Sequence, residues 1–229
     1  MVKIAYPKTN AEKAKLYLHC MVEVKERLHV VVELLALPIA PLFKQELCFL
    51  QFRYVCELIA IACLAAQGDY ETQRDFTVSY KPPDIFKSLR KLYPDFFPIP
   101  AERIVTVQDD GQRHHHVKQD YKPDAYTEED VSSLWKAAGS HLHRASVNKY
   151  LRTTFVNKPP ELDGIARHLN GLIHLLNSHL IPIQHNATGD VRLLIEMGER
   201  HGPVRILFLN VNHVDCTMGV EEYLAELQR

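Results

Sequence analysis

Apolar residues recur at intervals of three and four along four stretches of the chain, the period of an α-helix. The first stretch runs from Ala11 to about Leu37. Ala14, Tyr17, Leu18, Met21, Val24, Leu28 and Val31 share one face, and Thr9 or Asn10 stands where a cap is needed. Lys13, Glu23, Lys25 and Glu26 are expected mostly on other faces. Pro38 and Pro41 end this pattern. The second stretch, Leu42 to Ala66, is apolar nearly all round in its second half, as a helix in the middle of a bundle is, and Gly68 is placed to terminate it. So short a connection favours two antiparallel neighbours. The third helix opens at Glu128 behind a capping box, Thr127 with Asp130, and runs to about Phe155 with Val131, Leu134, Trp135 and Ala138 in its stripe. The fourth spans Glu161 to Leu180 and stops before Pro182. A shorter helix is expected from Asp84 to Leu92.

Two stretches change period. Ile104, Val105 and Val107 favour a strand, Asp110-Gly111 is a turn signal, and His114-His115-His116-Val117 is the return strand. Val191–Met197 and Val204–Val211, both rich in branched and aromatic residues, read as a second hairpin. Tyr93 to Pro100 reads as a loop. The expected fold is therefore mainly α: a bundle of about four long helices with two accessory β-hairpins. It forms one domain over 1–229, with a hairpin insertion at about 103–118 and a C-terminal hairpin appendage at about 191–212.

Composition narrows the function classes. The 229 residues are 46% hydrophobic, enough for a substantial core. Lys and Arg number 27 against 28 Asp and Glu, a net charge of −1, which leaves room for a local basic patch and not for a global nucleic-acid-binding field. The first residues lack the apolar core of a signal peptide. Five cysteines without a CxxC pair suit a reducing, cytoplasmic setting, with Cys48, Cys56 and Cys63 acting as small apolar residues of the central helix. Leu47–Ala66 is long enough to span a bilayer. Arg53 and Glu57 near its middle would each cost roughly 2.5 kcal/mol or more there, so a buried core helix and no membrane is the expectation.

Candidate chemistry is sparse. Arg53 and Glu57 stand four residues apart on the apolar central helix. They read either as an intrahelical ion pair or as one wall of a polar pocket shared with the helix after Trp135. His141, His143 and Arg144 lie on that helix, and a His beside an Arg can bind phosphate or assist proton transfer. The run His114–His116 supplies at most two ligands on one strand face, half of a tetrahedral zinc site, so no metal is assigned. No phosphate loop, HExxH, G-x-S-x-G or other cofactor-binding motif occurs, and no cofactor is implied.

The stretch Arg167-His168-Leu169-Asn170-Gly171-Leu172-Ile173-His174 has an Arg, a polar neighbour and a His seven residues on, nearly eclipsed on a helix. It resembles the R-x4–6-H motif of HEPN domains, which are all-α bundles. That resemblance implies a metal-independent endoribonuclease site near a dimer axis. Arg167 would polarise the scissile phosphate, His174 would handle the 2′-hydroxyl proton, and His168 would be the polar neighbour, with Gly171 leaving the space between them open. Many HEPN-like proteins bind or dimerise without catalysis. Two functions are therefore expected: a non-catalytic binding or interaction module, and alternatively an endoribonuclease acting on RNA. Both come with self-association, and neither names a small-molecule ligand.

Overall fold

The computed structural model describes residues 9–68, 79–107, 113–120, 122–142, 162–186 and 189–210. Five helices and five strands form among them: α1 (Asn10–Ala36), α2 (Pro41–Gln67), α3 (Pro82–Leu92), β1 (Ile99–Val107), β2 (Arg113–Gln119), α4 (Glu128–Leu142), α5 (Leu162–Leu176), β3 (Ser178–Asn186), β4 (Gly189–Glu196) and β5 (Arg205–Asn210). α1 starts at its capping box: the Thr9 hydroxyl accepts from Glu12 N at 3.1 Å and the Glu12 carboxylate accepts from Thr9 N at 2.9 Å. α2 folds back along α1 and ends at Gly68, whose φ of 65° is the left-handed conformation glycine adopts without a steric penalty. Pro82 opens α3 as a first-turn proline. The turn signal at 110–111, the stretch from 143 to 161 and the tail after 210 lie outside the described residues.

The expected bundle with accessory hairpins is corrected by the sheet. The strands form one antiparallel sheet of order β2-β1-β3-β4-β5, so the fold is mixed α/β. The two expected hairpins are there as β1–β2 and β4–β5, joined by β3, a strand lying partly where the fourth helix was expected to continue. α5 stops at Leu176, and after Asn177 the chain enters β3, with Leu180 opposite Leu194 on β4 and opposite Ile99 on β1. Pro182 is tolerated because its carbonyl accepts from Gln67 Nε2 at 3.1 Å. A strand residue's N and O point the same way, so the missing N–H also faces away from β4.

Alternation along the strands divides the sheet. Ile181, Ile183, Leu193, Ile195 and Ile206 join the helices in the main core, while Leu180, Leu194 and Ala101 form a smaller apolar cluster on the opposite side. α2 is the deepest element, with Phe52, Val55, Cys56, Ile59, Ala60 and Cys63 fully buried. It is also the one described helix long and apolar enough to cross a membrane by length and composition. In this fold it packs against α1, α4 and β3.

Helices and sheet meet through buried polar groups on α1. Lys13 and Lys25, expected on outer faces, are 2% and 6% exposed. Lys13 Nζ donates to Gln67 O at 3.3 Å, at the end of α2. Lys25 Nζ donates to the carbonyls of Met197, Glu199 and Gly202 at 2.7, 2.5 and 2.6 Å, filling the β4–β5 turn with one cation. Between them, His179 on β3 is fully buried. Its Nδ1 lies 2.9 Å from Leu176 O and its Nε2 2.7 Å from the Tyr17 hydroxyl. A carbonyl only accepts, so Nδ1 carries the proton and Nε2 accepts from Tyr17.

Burial holds His179 at about 4, below the ordinary 6.5. As pH falls, the unfolded chain takes up this proton first. Stability is therefore full above pH 6.5, falls by up to about 1.4 kcal/mol per unit towards pH 4, and levels off below, an order of 3 kcal/mol in all. His179→Asn keeps an N–H donor near Leu176 O and cannot titrate. Urea unfolding at a series of pH values should show a flatter acid limb for this variant than for the wild type; parallel limbs would contradict the assignment.

Candidate functional site

Of the sequence-selected residues, Arg53, Glu57, His141 and His168 meet where α4 and α5 pack on α2. Arg53 and Glu57 form an intrahelical pair, Nε to Oε1 3.2 Å, with side chains 20% and 19% exposed. α4 completes it: Trp135 Nε1 donates to Glu57 Oε1 at 2.9 Å, and the Arg53 guanidinium lies over the Trp135 ring at 4.6 Å. A Cβ on Gly139 of α4 would stand 3.0 Å from the Arg53 guanidinium, a tight approach that the end of the arginine side chain can relieve. The pair joins α2 to α4 through ionic, hydrogen-bonding and cation–π contacts.

One turn outward, His141 on α4 stacks on Phe49 of α2, with ring centroids 3.9 Å apart and planes 12° from parallel. His168 of α5 meets Phe49 and Phe52 edge-on at 6.0 and 5.9 Å. The fold therefore brings His141 and His168 to the same phenylalanine. His143 and Arg144 lie outside the described residues. The His168 imidazole sits below its ordinary range, chiefly through burial and then through the neighbouring cations Arg167 and His141. Its Nδ1 forms a short hydrogen bond with the Tyr126 hydroxyl. Burial, with Asp130 nearby, pushes Tyr126 up to about 12, so the phenol stays protonated at neutral pH.

Tyr126 alters the expected geometry of the Arg167–His174 motif. It lies in the connection before α4; its N–H donates to Gly171 O at 3.2 Å, and its ring occupies the place a Cβ on Gly171 would take. The space expected to be open at Gly171 is filled by a tyrosine. Arg167 is exposed and His174 half-buried, about 10.5 Å apart along the axis at seven residues' rise. His174 Nδ1 is buried without a hydrogen-bond partner.

Among the described residues, no three His, Cys, Asp or Glu side chains converge as metal ligands would, and His116 is exposed on β2. Cys20, Cys48, Cys56 and Cys63 are free and buried; burial pushes Cys48 up to about 11 and Cys20 to about 12, so neither is a thiolate nucleophile at neutral pH. Tyr126, Tyr17 and His179 were missed by sequence reasoning. The only signal for Tyr126 is its place beside the Thr127 cap, where a residue outside a helix often folds back on apolar neighbours. Comparison with protein-family models, curated proteins and solved structures finds no match to this chain.

Gly171→Ala tests the packing directly. Alanine gains about 1 kcal/mol of helix propensity over glycine, but its methyl would overlap the Tyr126 ring, and overpacking costs about 1–3 kcal/mol. Urea unfolding followed by Trp135 fluorescence should show net destabilisation that Tyr126→Ala relieves in the double variant. A more stable Gly171→Ala protein would mean the tyrosine does not lie there.

Proposed function

We propose that the protein is a non-catalytic binding or interaction module, HEPN-like in a broad sense in its helical layer, which associates with a second copy of itself in a reducing, cytoplasmic setting. The observation that carries this reading is the outer face of α2. On a helix whose other side is buried in the core, Leu42, Phe43, Leu47, Tyr54 and Ile61 are 52%, 58%, 40%, 40% and 38% exposed. Leu47, Tyr54 and Ile61 recur every seven residues, the spacing that lets one helix lie along another. A stripe meeting its own copy across a two-fold axis makes a closed, isologous contact. It also removes apolar surface from water, at about 25 cal/mol per Å².

Catalysis is disfavoured by Tyr126, which engages His168 and covers the helix between Arg167 and His174. The second reading, a metal-independent endoribonuclease using that pair on RNA, is favoured by the exposed Arg167 and by the unpartnered Nδ1 of His174.

One set of samples separates the two. Light scattering should give a dimer for the wild type and a monomer for Leu47→Glu/Ile61→Glu. A mixed RNA pool incubated in EDTA with wild type or His174→Ala should stay intact in both. A wild-type monomer at assay concentrations would remove the self-association. Cleavage by wild type that His174→Ala abolishes would replace the binding module by the nuclease.

A further inference from the structure

Apart from the α2–α4–α5 cluster, α3 and α4 enclose an open groove of about 610 Å³. Its charge is uneven. Lys87 and Lys91 lie one turn apart on α3, and Lys136 faces them from α4, one turn beyond Ser132 and Ser133. The groove also holds Glu128 and Glu129, but both are engaged by Arg90: its Nε donates to Glu128 at 3.1 Å and its terminal nitrogen to Glu129 at 2.6 Å. That clamp ties the end of α3 to the start of α4 and so sets the groove's width. Both carboxylates are thus turned to Arg90, while Lys87, Lys91 and Lys136 are exposed and pair with no described residue. Four cationic side chains against two carboxylates give the groove a net charge of +2, a local excess on a chain whose net charge is −1.

The donors specify the ligand. Three ammonium groups and two hydroxyls present hydrogen-bond donors to acceptor-rich oxygens, the pattern a phosphate chain satisfies. Among the described residues no aromatic side chain lines the groove, so none of them stacks there on a base or a sugar-linked ring. We propose that the α3–α4 groove binds a compact polyphosphate group, held by Lys87, Lys91 and Lys136 with Ser132 and Ser133. The group is either free or carried by a nucleotide whose base is not read. This site is independent of the self-association of α2 and of the Arg167–His174 motif, and it stands or falls without them.

Calorimetric titration of the full chain in EDTA at low salt tests it, with inorganic triphosphate and with ATP as separate probes. The expected result is saturable one-site binding of both, of similar affinity and weakened by added salt. Each of Lys87→Gln, Lys91→Gln and Lys136→Gln should lower the affinity roughly tenfold, about one charge-assisted contact each. The triple variant, its fold checked by circular dichroism, should bind neither. Lys118→Gln, on β2 and outside the groove, should bind as the wild type does. If ATP binds far more tightly than triphosphate, the base is being read and the phosphate-only account is wrong. If an oligouridylate binds far more tightly than either probe and loses that binding in the triple variant, the occupant is an RNA strand. No saturable binding at millimolar triphosphate, or a triple variant that binds normally, overturns the site itself.

Discussion

Burying a polar group without a partner is costly, and on α1 that cost decides how the two layers meet. Lys13, Tyr17 and Lys25 stand along the same buried face, each reaching an acceptor on another element: the last carbonyl of α2, His179 on β3 and three carbonyls of the β4–β5 turn. A buried donor or acceptor left alone costs about 1–3 kcal/mol, and a buried cation more. Sliding the sheet along the helices would orphan several of these groups together. Apolar contact alone is tolerant of small shifts; this row of directional bonds is not. Gln67 extends it: its backbone carbonyl accepts from Lys13 and its side-chain amide donates to the Pro182 carbonyl, so the end of the deepest helix and the proline of the central strand meet at one residue.

The same logic shapes the middle of α2. Arg53, Glu57 and Trp135 satisfy one another, and His168 is engaged by Tyr126. Of the residues singled out in sequence, Arg53, Glu57 and His168 help to seat α4 and α5 on α2. The side chains α2 exposes most are apolar, while α3 and α4 expose both signs, Lys87, Lys91 and Lys136 beside Glu129 and Asp130. On the proposed reading these are the binding surfaces, and interior bonds that hold their helices in place reduce the entropy lost on association.

Features specified by neighbouring residues were legible in the sequence. The cap at Thr9 or Asn10, the Thr127–Asp130 box and Gly68 mark helix ends through contacts within a few positions, and the structure puts those ends within a residue or two of the expected ones; that Glu12 completes a box with Thr9 came only from the structure. The β4–β5 hairpin was legible for the same reason. β3 was not. Leu176 and Leu180 are spaced as on a helix, and Pro182 is an ordinary helix stop; only pairing with β1 and β4 makes the segment a strand. Lys13 and Lys25 were read as solvent-facing because lysine usually is, while their partners lie 54 and more than 170 positions away. At the candidate site, the residues of α2, α4 and α5 could be named from sequence. The seating of Tyr126 on Gly171 could not, because it depends on how a connection outside any helix returns to α5.

The claim on which the account rests is that helices and sheet form one cooperative unit, joined by the polar row on α1. Native-state hydrogen exchange, followed at α2 and β4 amides as urea is raised, tests it most directly. If the row couples the layers, the slowest amides of both elements merge into a single unfolding isotherm. Exchange of the β4 amides through an opening of markedly lower free energy than that of α2 would show a sheet that unfolds alone, and would contradict it.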